Sequence, residues 1–183
     1  MLNADNISED QLKELIQGCV RNHRKSQESI YKMFYGKMMA ICRRYTKNTD
    51  QAKDILQDGF IKVFKNIEKF NFEGSFEGWV RRIVVNTAID FTRKAKNDYL
   101  LMNENQSIDD FDEDLLEEED DEPYDNPLKV GDVIEGMNKL SNAYRTVFNL
   151  YVFDNYTHQE IADALDISVG TSKSNLAKAR ANL

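Results

Sequence analysis

The 183 residues, 41% hydrophobic and 31% charged, suffice for one ordinary domain or two small ones with packed cores, and are too polar for a membrane protein. No stretch approaches the ~18 consecutive apolar residues of a spanning helix, and residues 1–10 are acidic and polar where a secretion signal needs a basic start and an apolar run, so the expected location is the cytoplasm. The net charge of −8 argues against nucleic acid only until it is divided: 18 basic face 12 acidic residues over 1–97, one faces 16 over 98–135, and five face four over 136–183. An asymmetry this sharp indicates that separate parts of the chain meet different partners.

A first helix is expected from Ser8 to Asn22. Apolar residues then recur at helical spacing in three stripes: Ile30, Phe34, Met38, Ile41, Cys42 and Tyr45; Ala52, Ile55, Gly59, Val63, Ile67 and Phe70; Val80, Ile83, Val84, Thr87, Ala88 and Phe91. Asn48-Thr49-Asp50 separates the first from the second, with Thr49 or Asp50 as the expected N-cap. Between the second and third lies FNFEGSFEGW, where Gly74 and Gly78 permit a loop crowded by aromatic rings. Cys19 and Cys42 fall inside apolar stripes and are expected to be reduced core residues, because one pair of cysteines makes no disulfide framework.

The stretch Asp98–Glu135 contains DDFDEDLLEEEDDEPYDNP, holds both prolines and has too little apolar surface to offset the entropy of ordering. It reads as an acidic linker. Helices are expected at Val133–Leu140 and Ala143–Phe153. Thr157-His158-Gln159-Glu160 is a capping box that starts a helix ending at Asp166, a residue type that tolerates the left-handed turn. Ser168 can cap a last helix, Val169–Ala181, with Leu176 inward and Ala162 and Gly170 as small residues at the crossing. Two short helices and a tight turn describe a helix-turn-helix, whose second helix would offer Thr171, Ser172, Lys173, Ser174, Asn175, Lys178 and Arg180 to DNA. No strand-period segment of useful length occurs, so the fold class is all-α: two small helical domains on a flexible acidic linker, at 1–97, 98–132 and 133–183.

The segment LSNAYRTVFNLYVFDNYTHQEIADALDISVGTSKSNLAKARANL resembles region 4 of the extracytoplasmic-function (ECF) sigma factors of the sigma-70 family. SIYKMFYGKMMAICRRYTKNTDQAKDILQDGFIKVFKNIEKFNFEGSFEGWVRRIVVNTAIDFTRK is similar to their region 2. The resemblance implies a subunit that binds core RNA polymerase through its clamp helices and flap, directs it to promoter DNA and promotes melting, with an anti-sigma factor as a candidate regulator. It implies that Asp54, Gln57 and Asp58, on one helical face, grip the polymerase, as carboxylates and an amide suit a basic partner. It further implies that Arg81, Arg82, Arg93 and Lys94 track −10 phosphates, while Phe72, Ser75 and Phe76 of the loop and Asn86 of the helix form a pocket for an extruded base. Phe70 and Trp79 are expected in the core.

In the family the linker is threaded through the polymerase. Promoter elements one and a half to two turns apart, at ~34 Å per turn, lie roughly 50–70 Å from one another. A chain of about 38 residues reaches ~125 Å at full extension and averages ~35 Å as a free coil, so the linker would be drawn out in the complex. The last helix carries fewer basic residues than is usual in the family, which implies weaker −35 binding by region 4 alone. The other readings are a two-domain helix-turn-helix regulator that works without polymerase, and an enzyme. For the latter no metal-ligand cluster, nucleophile–base pair or phosphate-cradling glycine loop is present in the sequence, so no cofactor, metal, small-molecule substrate or membrane insertion is expected.

Overall fold

The computed structural model describes residues 7–102, 136–137 and 139–183, without the side chains of 95–102. It is all-α among the described residues, as the periodicity predicts, and none of its described helices is long and apolar enough to cross a membrane. The chain divides into two units, the first ending at Asp90 and the second beginning at Phe91.

The first unit opens with α1 (Glu9–Val20), capped by Ser8: its hydroxyl accepts from the Gln11 N–H, and the Gln11 side chain accepts from the Ser8 N–H. Helix α2 (Arg24–Tyr45) packs on α1 at Gly18, where a β-carbon would meet the Ser26 Oγ and Cβ, so this crossing requires glycine. Asn48 caps α3 (Thr49–Asn66), its side-chain oxygen accepting from Asp50 N at 2.8 Å and Gln51 N at 3.3 Å. The expected caps, Thr49 and Asp50, therefore lie inside the helix. A 3₁₀ turn (Ile67–Lys69) follows, then the loop to α4 (Phe76–Met102).

Gly74 supplies a left-handed turn at φ +82° in that loop, but Gly78, expected in the loop as well, lies in the first turn of α4. All three stripes supply buried residues: Ile30, Phe34, Met38, Cys42; Ala52, Ile55, Val63, Phe70; Val80, Val84 and Ala88. Cys19 and Cys42 are free and buried, and burial pushes their thiols up to about 11 and about 12. Two ion pairs tie α4 down from outside the core, Lys37 to Glu77 and Lys62 to Asp90, each at 2.9 Å.

Helix α4 runs through Met102, so residues 98–102 of the expected linker are helical. The rest of the linker and half of the expected helix Val133–Leu140 (133–135 and 138) lie outside the described residues, and 136, 137 and 139 are helical. The second unit contains α5 (Asn142–Phe148), a π-helical turn (Asn149–Phe153), α6 (His158–Leu165) and α7 (Val169–Ala181). The single helix expected at Ala143–Phe153 thus changes to π-helical pitch at Asn149. Leu140, Tyr144 and Ala179 form a core against which Ala143 and Phe148 pack. The guanidinium of Arg145 is buried with them and donates to the carbonyls of Met137, at 2.8 Å, and Leu140, at 3.0 Å.

The capping box expected at Thr157 is present: Thr157 Oγ1 accepts from Glu160 N at 3.2 Å and the Glu160 carboxylate accepts from Thr157 N at 2.8 Å. Asp166 is left-handed at φ 54°, and Ser168 Oγ accepts from Thr171 N at 3.0 Å to start α7. Gly170, expected at the helix crossing, is exposed, while Ala162 is buried.

Candidate nucleic-acid and protein interfaces

Asp54, Gln57 and Asp58 are all exposed on the outer face of α3, opposite its buried Ile55, Leu56, Gly59 and Phe60. Ile61, one turn past Gln57 on the same face, is 43% exposed. Gln57 also lines a surface groove with Leu56 and Lys53 of α3 and Tyr31, Tyr35 and Met39 of α2. The rings of Tyr31 and Tyr35 lie 5.6 Å apart, and that of Tyr31 lies edge-on to Phe60 at 4.7 Å. An aromatic groove beside carboxylates and an amide has the makings of a protein-docking surface: apolar anchors within a polar, charged rim. Periodicity missed Tyr35 and Ile61 as surface features, although both are apolar and out of phase with their own helix's stripe, which is the signal that finds them.

On α4, Arg82, Asn86 and Arg93 are exposed on one face, at spacings of one and three turns, opposite Val80, Val84 and Ala88. Lys94 is exposed beside Arg93, whereas Arg81 is half-buried. Cations and an amide along the solvent face of one helix can follow a phosphate chain while offering a bidentate donor and acceptor to a base.

The loop before α4 divides its aromatic residues. Phe76, expected to face a base, is 4% exposed and packs on Phe34 at 5.7 Å, Phe70 at 5.1 Å and Trp79 at 5.8 Å. It is a core ring at the start of α4, because position 76 faces inward with Val80. Phe70 is buried as expected, and Trp79 is half-buried against both rings. Phe72 and Ser75 are exposed, Phe72 by 47%.

On α7, Thr171, Lys173, Ser174, Lys178 and Arg180 are exposed and Asn175 is half-buried. Ser172, expected at the DNA face, is fully buried and its Oγ lies 3.0 Å from the His158 Nδ1. Its place in the helix turns it inward with Leu176 and Ala179, so it joins the two helices of the motif and is withdrawn from any groove. Of the rest, Thr171 Oγ1 is 2.9 Å from the cap hydroxyl of Ser168, and Ser174 Oγ donates to the Thr171 carbonyl at 3.0 Å. Lys178 and Arg180 rest their cations near aromatic rings, 5.6 Å from Tyr144 and 5.9 Å from Tyr151.

Residues 30–97 match the family model for sigma-70 region 2, and residues 131–183 match that for sigma-70 region 4. The chain belongs to the ECF sigma factors of the sigma-70 family. Among the relatives of this sigma factor is the ECF RNA polymerase sigma factor SigW of Bacillus subtilis, 29% identical over 173 residues, which are 92% of each chain. The ECF RNA polymerase sigma-E factor of Haemophilus influenzae is 25% identical over 184 residues, covering 97% of this chain and 94% of its own. A solved structure of the sigma factor RpoE with the anti-sigma factor NepR, from Bartonella quintana, matches 85% of this chain and 92% of its own with 18% identity and a TM-score of 0.48.

As a sigma factor the chain binds core RNA polymerase, directs it to promoters and promotes melting for initiation. Sigma factors are non-catalytic regulators of transcription. The matched regions place α3 and the first 22 residues of α4 (76–97) within region 2 and α5 to α7 within region 4, whereas α1 precedes the matched span.

Proposed function

We propose that this sigma factor divides its task among three surfaces. Asp54, Gln57 and Asp58 of α3, with Ile61 beside them, hold the clamp helices of core polymerase. Arg82, Asn86, Arg93 and Lys94 of α4, with Arg81 at the edge, follow the −10 strand, and Phe72 and Ser75 receive a base drawn from the duplex. Thr171, Lys173, Ser174, Asn175, Lys178 and Arg180 of α7 take the −35 element while the polymerase flap holds the unit. The acidic chain between the regions, 98–132, is drawn through the enzyme, where a strongly anionic segment is repelled from promoter DNA. The protein performs no catalysis of its own and works in the cytoplasm, where its polymerase and promoters are. An anti-sigma factor that covers these surfaces is its expected regulator.

The observation that carries the reading is the outer face of α4, where Arg82, Asn86 and Arg93 stand exposed in register while Val80, Val84 and Ala88 close the core behind them. A helix needing only solubility has no use for an amide in line with cations on its exposed face.

Run-off transcription with core polymerase tests it. The Asp54→Ala/Gln57→Ala variant should keep its helical content and lose about tenfold or more in core affinity, since both side chains lie outside the core. Asn86→Ala should change preference at one −10 base by about 1–3 kcal/mol and leave core binding intact. Equal losses across all −10 variants would remove Asn86 from base reading.

A further inference from the structure

Four described residues other than glycine have positive φ: Asn22, Phe72, Asn155 and Asp166. Three are Asn or Asp, whose short polar side chains tolerate the left-handed region; Phe72, at φ 63°, has no such excuse. A bulky residue stays in that conformation only where its surroundings over-determine it, and such residues gather at ligand sites. Three contacts hold the loop here. The Phe72 ring rests on the buried Phe70 at 5.2 Å, Asn71 Oδ1 accepts from the Glu73 N–H at 3.2 Å, and the ammonium of Lys13, on α1, sits 5.5 Å from the Phe72 ring centre. The strained backbone turns an aromatic ring to solvent, and a helix outside the region 2 match puts a cation beside it.

We infer that Lys13 is a further DNA-binding residue of the −10 site: it binds the phosphate of the nucleotide whose base stacks on Phe72. This rests on the reading of the loop as the base-receiving surface. A base stacked on the ring carries its own phosphodiester within one nucleotide's length of the ring centre, which is where the Lys13 side chain already lies. Among the described residues no carboxylate lies within ion-pair distance of Lys13, so its charge is available to an incoming anion. The exchange is favourable in both parts. Base–aromatic stacking replaces an exposed cation–ring contact, and the displaced ammonium exchanges water for a phosphate. Helix α1 therefore forms a second wall of the single-strand site, opposite in chain position to α4, and this wall reads no sequence because it touches only backbone.

The test uses holoenzyme on promoter forks carrying the fluorescent base 2-aminopurine at each −10 non-template position in turn, with affinity measured against salt. Lys13→Gln, at an exposed position, should fold normally, weaken fork binding several-fold at low salt on every −10 sequence alike, and lower the log–log salt slope by about 0.7, the share of one single-strand phosphate. Lys13→Arg should restore the slope. If Phe72→Ala abolishes the 2-aminopurine signal while Lys13→Gln keeps the wild-type slope, Lys13 has no phosphate and the inference fails with the loop reading intact. If neither Phe72→Ala nor Asn86→Ala alters the signal at any position, the loop reading itself fails and Lys13 with it.

Discussion

The two units hold themselves together by different means. In the first, the buried set among the described residues is almost wholly apolar: beside some two dozen aliphatic, aromatic and sulfur-bearing side chains only Thr46 and Thr87 are polar, and Thr87 bonds a carbonyl of its own helix, that of Ile83, at 2.8 Å. In the second, Arg145, Thr146, Asn149 and Ser172 are buried beside a short list of apolar residues. Size accounts for the contrast. The described residues of the second unit that pack into its core fall within 136–183. A helical body of about 50 residues buries too small a fraction of its surface for apolar packing alone, so it compensates with directional bonds that fix helix to helix. Region 2 can thus lose a polar contact and keep its shape, whereas region 4 owes the placement of its recognition helix to a few hydrogen bonds.

The largest expected effect follows from Arg145. Its guanidinium fills bonds to two carbonyls, of Met137 and Leu140, that nothing apolar can replace. Arg145→Met keeps most of the volume but leaves those buried carbonyls unsatisfied, at a cost of about 2–4 kcal/mol. For a unit this small that is a large part of its stability. Amide exchange over α5 to α7 should accelerate by roughly 30- to several-hundredfold, while exchange in α2 and α3 stays unchanged. Unaltered protection in α7 would mean that the apolar residues carry the unit by themselves and the contrast is false.

How much of this was legible beforehand differs between the units for the same reason. The stripes of α2 to α4 could be read because burial of apolar side chains follows the helical period, and the caps at Ser168 and Thr157 because their bonds span only three residues. Positions that depend on a distant partner were not legible. Arg145 in a run of apolar residues carries no mark of its burial. Ser172 sits among hydroxyls and lysines that face outward, and its phase with the inward Leu176 is the local signal that places it inside, while the His158 ring from another helix satisfies its hydroxyl. Phe76 looked like a loop aromatic because Gly78 suggested a longer loop; once α4 begins at Phe76, helical phase alone sends that ring inward. The left-handed Phe72 follows from neighbours on α1 and the 3₁₀ turn that no local pattern announces.

A smaller effect is expected at Ser172. Ser172→Ala removes the one hydroxyl that meets the His158 ring and should cost about 1 kcal/mol of unit stability. Because the side chain points away from any groove, −35 affinity should fall only as far as the folded fraction falls, with no change in base preference. A shifted preference at a single −35 base, at wild-type stability, would return Ser172 to the DNA face and reverse the assignment made from its burial.

The smallest effect sharpens the contrast from the other side, through how each unit treats an ionisable group in its interior. The second buries a cation, whose deprotonation is made easier by desolvation; the first buries two thiols that desolvation keeps neutral. A thiol held at about 11 or about 12 in the folded chain and near its ordinary value of 9.0 when unfolded binds its proton more tightly in the native state. Its contribution is therefore complete below the unfolded value and declines as the pH rises toward the folded one, with a loss of roughly half a kcal/mol per thiol at pH 9. Urea unfolding followed in the first unit should show its midpoint falling between pH 8 and pH 10, and Cys42→Ala should flatten that fall even though it lowers the midpoint throughout. The second unit holds no cysteine, so its midpoint should stay level over the range where the thiols titrate, and a parallel decline in both units would place the cause outside Cys19 and Cys42.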